Sequence, residues 1–375
     1  AATTAYGSKA ANGVIVVETK QPVAGRTQIT YSFNVNMEVP DLTSYHLLDA
    51  KGLLEAQRLA GVYSDPTNHY NDLALKQWYN YRLQQVQSDV NTYWLSQPVR
   101  VGTGTSHSLS ISGGAKAVRY TLSLNYNPAV GVMKGSQRSR FGLNYMLSYN
   151  TRNLRFSNST SVGYSKANNS PWGSFSQYAS QFPFFKPVDS FGNVVKFFEP
   201  SAASLGFLGQ APGVTQINTN AAYNALLQVR DYSFYTSYAN NTNLDWTISS
   251  NFHLRSALGF SGNMPGADQY YPADHTMFAN SLGLFTDLGS YTRTRGKNNV
   301  VDGKVNLDYN KRVGAHTILA AAGAQVQATT SSSTTVRTTG LPNDYLDQLG
   351  LAYGYGNGNL KPGSSKNITH TISTY

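Results

Sequence analysis

Apolar residues recur at every second position of this chain over stretches of about ten residues. Val118, Tyr120, Leu122, Leu124 and Tyr126 share one face of an extended segment, while Arg119, Thr121, Ser123 and Asn125 share the other. Successive side chains of a strand point to opposite sides, so this alternation predicts a sheet with one apolar and one polar face. The pattern returns in Phe141, Leu143, Tyr145, Leu147 and Tyr149, and in Phe252, Leu254, Leu258 and Phe260. Weaker copies are Ile29 to Val35, Leu244 to Ile248 and Val301 to Tyr309. Strands are predicted near 27–37, 105–112, 117–127, 138–149, 154–165, 236–248, 252–262, 299–309, 316–328 and 366–375.

The connections separate a soluble sandwich from a membrane barrel. Short turns fall at Gly113–Lys116, Thr151–Asn153, Ser249–Asn251 and Asn310–Gly314, and long ones at 38–104, 166–235, 263–298 and 329–365. Loops beyond about 15 residues are uncommon in sandwiches. Transmembrane barrels combine tight turns at one end with long loops at the other. The predicted fold class is therefore all-β, a transmembrane antiparallel β-barrel. In the first long loop, Ser44 is expected to cap a helix carrying Leu47, Leu48 and Leu54 and ending at Gly61. A second helix is expected to place Leu75, Trp78, Tyr79, Arg82 and Val86 on a packing face.

Composition supports this choice. Charged residues make up 13%, against about 25% for soluble domains, and there are 26 Tyr beside 16 Phe and 4 Trp. Tyrosine suits surfaces that are apolar at one end and wet at the other, membrane interfaces among them. No apolar run of about 18 residues exists, which excludes transmembrane helices. The net charge of +10 comes from basic residues set singly, such as Arg100, Arg119, Arg140, Arg155 and Arg255, as lumen and rim charges would be. No nucleic-acid motif accompanies them. The absence of cysteine excludes disulfides and thiolate metal sites without fixing the compartment.

Gly7 and Gly13 punctuate the opening segment, and Val14–Val17 reads as a strand buried on both faces. Tyr6-Gly7-Ser8 followed by Asn12-Gly13-Val14-Ile15 resembles the closing strand of the plug domain in TonB-dependent outer-membrane transporters, in particular the SusC/RagA branch. Ser108–Gly114 with Tyr120–Ser123 looks like that family's second and third barrel strands, and Gly131–Ser136 like its tight second external loop. Asn169–Phe175, Gln181–Pro187, Tyr223–Leu227 and Gly340–Pro342 also fit, in order.

The resemblance divides the chain into 1–20, the end of a plug with its turn at Tyr6, Gly7, Asn12 and Gly13, and 21–375, the N-terminal part of the barrel. It implies a plugged barrel of about 22 strands in a Gram-negative, Bacteroidetes-like outer membrane. It also implies a SusD-like surface lipoprotein as lid, the TonB–ExbB–ExbD complex as energy source, and oligosaccharides or oligopeptides as cargo. About ten strands cannot close around a plug, and an open edge in lipid leaves backbone groups unpaired at several kcal/mol each. The chain is accordingly expected to be part of something longer. Its first residues have neither the basic start nor the apolar core of a signal peptide, and the TonB-engaging segment belongs before the plug. A siderophore or cobalamin receptor is the alternative, and a non-transporting surface barrel or adhesin a further one.

No catalytic constellation emerges. His46, His69, His107, His253, His275, His316 and His370 are isolated, and Asp274-His275 has no nucleophile signature beside it. The expectation is a protein that is not an enzyme, with no catalytic, metal or cofactor-binding residues and no nucleic-acid partner. The best binding segment is the loop 170–187, where Trp172, Phe175, Tyr178, Phe182, Phe184 and Phe185 crowd together near Asn169, Ser174 and Gln177. Flat aromatic faces stack on sugars or peptide side chains while the amides and hydroxyls supply hydrogen bonds. Trp172, Phe175, Tyr178, Phe184 and Phe185, with Tyr270 and Tyr271 of the next loop, are the candidates for contact with substrate or lid. The competing role is packing of the loops themselves.

Overall fold

The computed structural model describes residues 25–199, 218–279, 285–341, 343, 347–356 and 363–374. The plug-like turn at Tyr6, Gly7, Asn12 and Gly13 and the strand Val14–Val17 lie outside the described residues. One antiparallel sheet of eleven strands dominates: β1 Gly25–Glu38, β2 Gly102–Gly114, β3 Val118–Val130, β4 Gln137–Asn150, β5 Leu154–Asn168, β6 Arg230–Thr247, β7 Phe252–Tyr271, β8 Ser290–Val313, β9 His316–Thr339, β10 Gly354–Tyr355 and β11 Gly363–Thr374. Strands β1 to β9 each pair with the next in sequence, and β10 and β11 both pair with β9. The ten predicted strands are all present.

Their lengths required correction. The segments 263–298 and 329–365 were expected as loops, yet β7 runs for 20 residues and β8 and β9 for 24 each. The β8–β9 register is unbroken from Ser290↔Thr339 to Val313↔His316. Outside the apolar band the strict alternation stops while the hydrogen-bond ladder continues. Pro265, which reads as a breaker, sits inside β7 because its missing N–H falls where the β7–β8 ladder skips two positions.

Continuous register fixes which residues share a face. On the apolar face Phe33, His107, Tyr126, Phe141 and Tyr164 are successive cross-strand neighbours on β1 to β5, forming one aromatic row with His107 included. Tyr149 and Phe156, opposite one another, mark a second row near the short turns, as do Phe252 and Tyr309. Eight residues of β4 separate Phe141 from Tyr149, about 27 Å of strand, and a tilt of about 40° leaves about 20 Å of height. That is the scale of a hydrocarbon band between two aromatic girdles. Ile29, Leu258 and Ile372 are 68%, 57% and 76% exposed on this face, so protein does not cover it.

One feature of this face was not anticipated. Asn158 and Thr160 of β5 and Asn240 and Thr242 of β6 lie within the apolar band and bond to one another. The Asn158 amide donates to Thr242 Oγ1 at 2.8 Å and the Asn240 amide to Thr160 Oγ1 at 2.8 Å, with longer bonds between the two amides. Mutual satisfaction is what makes such groups tolerable in hydrocarbon. Asn158→Ala removes the bonds Asn158 makes to Asn240 and Thr242, which keep those to Thr160 and to each other. It is expected to destabilise the sheet by about 1–3 kcal/mol, whereas replacing all four with apolar residues restores most of the loss. Urea unfolding of the full-length protein in bilayers checks both.

Among the described residues three α-helices occupy the long-loop end: α1 Ala50–Leu59, α2 His69–Gln87 and the short α3 Phe175–Ala179. Asp49, not Ser44, caps α1, with Oδ1 accepting from the Gly52 N–H at 2.7 Å. Leu47 and Leu48 precede the helix and stay exposed. The second helix was placed correctly and is capped by Asn68. Leu75 and Tyr79 pack at its partly buried face, while Trp78 and Arg82 are buried.

Candidate functional site

At the long-loop end the β1–β2 and β5–β6 connections build a common core from Ala50, Leu54, Tyr63, Trp94, Tyr178, Phe184, Phe185 and Phe198. The polar groups of Trp94, Tyr178 and Arg82 are paired, whereas the buried Trp78 Nε1 has no hydrogen-bond partner among the described residues. Trp94 Nε1 donates to the Phe182 carbonyl and the Tyr178 hydroxyl to the Trp172 carbonyl, each at 2.8 Å. Arg82 forks onto Glu199 (Nε to Oε1 2.8 Å, Nη2 to Oε2 3.1 Å) and donates to the Tyr63 hydroxyl at 2.9 Å. Its guanidinium lies 5.2–5.6 Å from the rings of Tyr63, Trp78, Phe182 and Phe184, within cation–π range.

This core decides the roles of the aromatic candidates. Tyr178, Phe184 and Phe185 are 1%, 0% and 2% exposed and offer no surface to a ligand. Tyr270 is equally enclosed, with Tyr291 and Leu341 against it. Phe175 is half-buried, edge-on to Tyr45 at 5.8 Å, and Trp172 carries the Lys134 ammonium over its ring at 4.7 Å. Tyr271 is half-buried and donates to Asp231 Oδ2 at 3.1 Å. Its hydroxyl pKa is pushed up to about 12, by burial first and then by Asp231.

Tyr271 lines a cleft of about 540 Å³ that opens between the β3–β4, β5–β6 and β7–β8 connections. The wall also includes Asn169, Ser174 and Gln177, the hydrogen-bonding residues expected from sequence, and adds Met133, Asp231 and Met277. Nothing in the sequence joins these last three, which come from the β3–β4 connection, the start of β6 and the β7–β8 connection. Clefts of this size with a few placed polar groups suit small or extended polar ligands. A second groove, of about 500 Å³, runs past Leu47, Leu48, Tyr93 and Phe182.

Buried amide bonds fix the cleft floor. Asn224 donates to Thr276 Oγ1 at 2.8 Å and accepts from the Thr276 N–H at 2.9 Å, locking the β7–β8 loop to the β5–β6 loop. Asp274 and His275 have separate duties. Asp274 pairs with Lys196 and accepts from the Tyr223 hydroxyl at 2.5 Å, and these contacts outweigh burial to hold its carboxyl below the usual range. His275 Nδ1 accepts from the Met277 N–H at 3.1 Å, capping a single helical turn. Burial, helped by the charge on Lys196, lowers the imidazole pKa to about 4.

The depressed histidine gives a pH dependence with a definite sign. Its stabilisation is fully present above the unfolded value of about 6.5 and is lost as pH falls through about 4. Protection factors of the 272–279 loop in the full-length protein, taken as exchange rates relative to the unstructured chain at the same pH, are expected to fall between pH 7 and pH 4. His275→Asn, which keeps a capping acceptor but cannot titrate, should flatten that profile.

Among the described residues no group of three His, Cys, Asp or Glu could hold a metal ion, and no helix is long and apolar enough to cross a membrane. The polar face of the sheet near the short turns carries a charged ladder, with His253 Nε2 to Asp245 Oδ1 at 2.6 Å and Arg255 Nη2 to Asp308 Oδ2 at 2.7 Å.

No family model matches the chain. Over 141 residues it is 30% identical to the TonB-dependent receptor SusC of Bacteroides thetaiotaomicron, covering 37% of this chain and 12% of that protein. Over 140 residues it is 27% identical to TonB-dependent receptor P3 of Formosa agariphila, with the same coverage. Its fold matches the RagAB peptide transporter at a TM-score of 0.72 and 14% identity, and the closed-closed RagAB peptide importer at 0.70 and 15%. These matches cover 99% and 98% of this chain and 42% of each solved chain, so it spans well under half their length. Over the stretch matched to SusC the chain is SusC-like in sequence, and its antiparallel sheet has the fold of part of the RagAB transporter.

Proposed function

We propose that this SusC/RagA-like chain is the first part of a plugged outer-membrane barrel that imports oligosaccharides or oligopeptides, driven through TonB–ExbB–ExbD beneath a SusD-like lid. The carrying observation is the sheet: an apolar face bounded by aromatic rows, with every long connection gathered at one end. Residues 1–20 end the plug in this reading, and 21–375 begin the barrel wall. Binding is the task of the external end, and no bond need be broken. The cleft of Asn169, Gln177, Asp231 and Tyr271 is the substrate wall, with Trp172 nearby. Tyr45, Phe175 and the exposed Leu47 and Leu48 form the surface a lid can cover.

The test is uptake of labelled glycan and peptide libraries by cells carrying the full-length protein and its neighbouring lipoprotein. Uptake is expected to cease when the proton-motive force is collapsed and when the lipoprotein is deleted. Uptake that continues without the proton-motive force rules out TonB-driven import.

A further inference from the structure

We infer that the outward face binds a phosphorylated acyl-sugar lipid, whose phosphate is held by Lys166 of β5 and by Arg293 and Arg295 of β8 just above the bilayer. The inference rests on the reading of that face as lipid-facing.

Pairing between β5 and β8 runs without a register shift, so residues of one parity stay on one face from the short turns to the loops. Moving outward on the apolar face, Tyr164 is followed by Lys166, and Phe260 and Met264 by Gly266 and Asp268. On β8, Val301 is followed by Asn299, Lys297, Arg295 and Arg293. Hydrophobic wall thus gives way to basic side chains at the level of the anionic headgroups of an outer leaflet.

The cations converge. Lys166, Phe234, Gly266 and Arg295 are consecutive cross-strand partners, a row about 14 Å long. Lys166 leans over the Tyr232 ring at 5.0 Å and Arg295 over the Phe234 ring at 5.1 Å, and those rings stack on each other at 6.3 Å. Both cations therefore reach toward β6 from opposite sides. Gly266 permits this, because any Cβ there would sit 2.5 Å from the Phe234 ring.

Asp268 anchors the arginines without neutralising the site. Its side chain is 2% exposed and accepts from Arg293 Nε at 2.7 Å and Arg295 Nη2 at 2.5 Å, while the two arginine side chains remain 43% and 42% exposed. Three cations face one carboxylate. Arg293 uses two of its five N–H donors, on Asp268 and the Tyr291 hydroxyl. A guanidinium held in place with donors to spare is well suited to phosphate oxygens. Beside Lys166, a groove of about 470 Å³ on the same face, walled by Thr105, Pro128, Gln137 and Ser139, gives the lipid's sugar a polar seat.

Native mass spectrometry of the full-length protein in detergent, titrated with monophosphorylated lipid A and with its dephosphorylated form, tests this. The phosphorylated lipid is expected to bind, with Lys166→Gln and Arg293→Gln each weakening it about tenfold. Lys166→Arg should bind within about twofold of the native protein, which guards against misfolding as the cause. Arg140→Gln, on the opposite face of β4, should have no effect. Equal binding of the dephosphorylated lipid, unchanged affinity in both Gln variants, or displacement by millimolar inorganic phosphate overturns the inference. A nitroxide at Leu258 in bilayers separates the two readings. A label in contact with lipid, with no phosphate dependence of binding, removes only the lipid site, whereas a label in water removes the barrel placement as well.

Discussion

Arg82→Met is expected to unlatch the external loops, at about 3–5 kcal/mol of local stability. The Glu199 side chain is 2% exposed, and without Arg82 the Asn218 amide, at 2.8 Å, is the one side chain among the described residues that still bonds to its carboxylate. A buried charge that loses its partner keeps the desolvation penalty and forfeits the attraction. Hydrogen exchange in α2 and in 185–199 of the full-length protein is the readout, since the strands below need not open with the loops. The double change Arg82→Met with Glu199→Met should recover most of the loss. A double variant as unstable as the single one would shift the weight from the ion pair to the four aromatic rings around the guanidinium.

Phe184→Ala is expected to cost a similar amount, about 3–5 kcal/mol, by opening a cavity at the centre of the same core. Phe184 is fully buried, lies edge-on to Phe185 at 5.2 Å and faces Arg82 at 5.3 Å. Its effect should therefore fall short of additivity with Arg82→Met. The outcome also separates packing from binding. A core residue changes exchange rates at Thr92, Trp94 and Tyr178 whether or not ligand is present. A residue that stacks on substrate would lower affinity and leave those rates alone.

The strands were legible because a barrel strand with one apolar and one polar face carries a two-residue period, and β3 and β4 display that period in full. Their outer ends were not, because Thr329–Thr335 and Asn263–Gly266 are polar or breaker-rich and look like loop once lipid no longer sorts their faces. The aromatic crowding at 172–185 was visible, but its burial depends on α1, α2 and Trp94 arriving from a distant part of the chain. Ser44 was a reasonable cap by type, and Asp49 won because its carboxylate reaches the Gly52 N–H. The bonded set of Asn158, Thr160, Asn240 and Thr242 could not be foreseen, since it exists only once β5 and β6 are in register. The cleft wall at Met133, Asp231 and Met277 is likewise a product of loop geometry.

From β1 to β9 each strand lies beside its sequence neighbour, and that order bears on how the molecule is made. The wall can be laid down like courses of brick, each hairpin templated by the exposed edge of the last. Long insertions hardly impede this, since a tenfold longer loop adds only about 2 kcal/mol of closure entropy. The cap is different. Its two halves sit on either side of the β2–β5 block and meet only after the second has been synthesised. A nascent chain halted after β5 would carry α1, α2 and Trp94 with nothing to cover them. That half-built species is where chaperones and proteases should find their target.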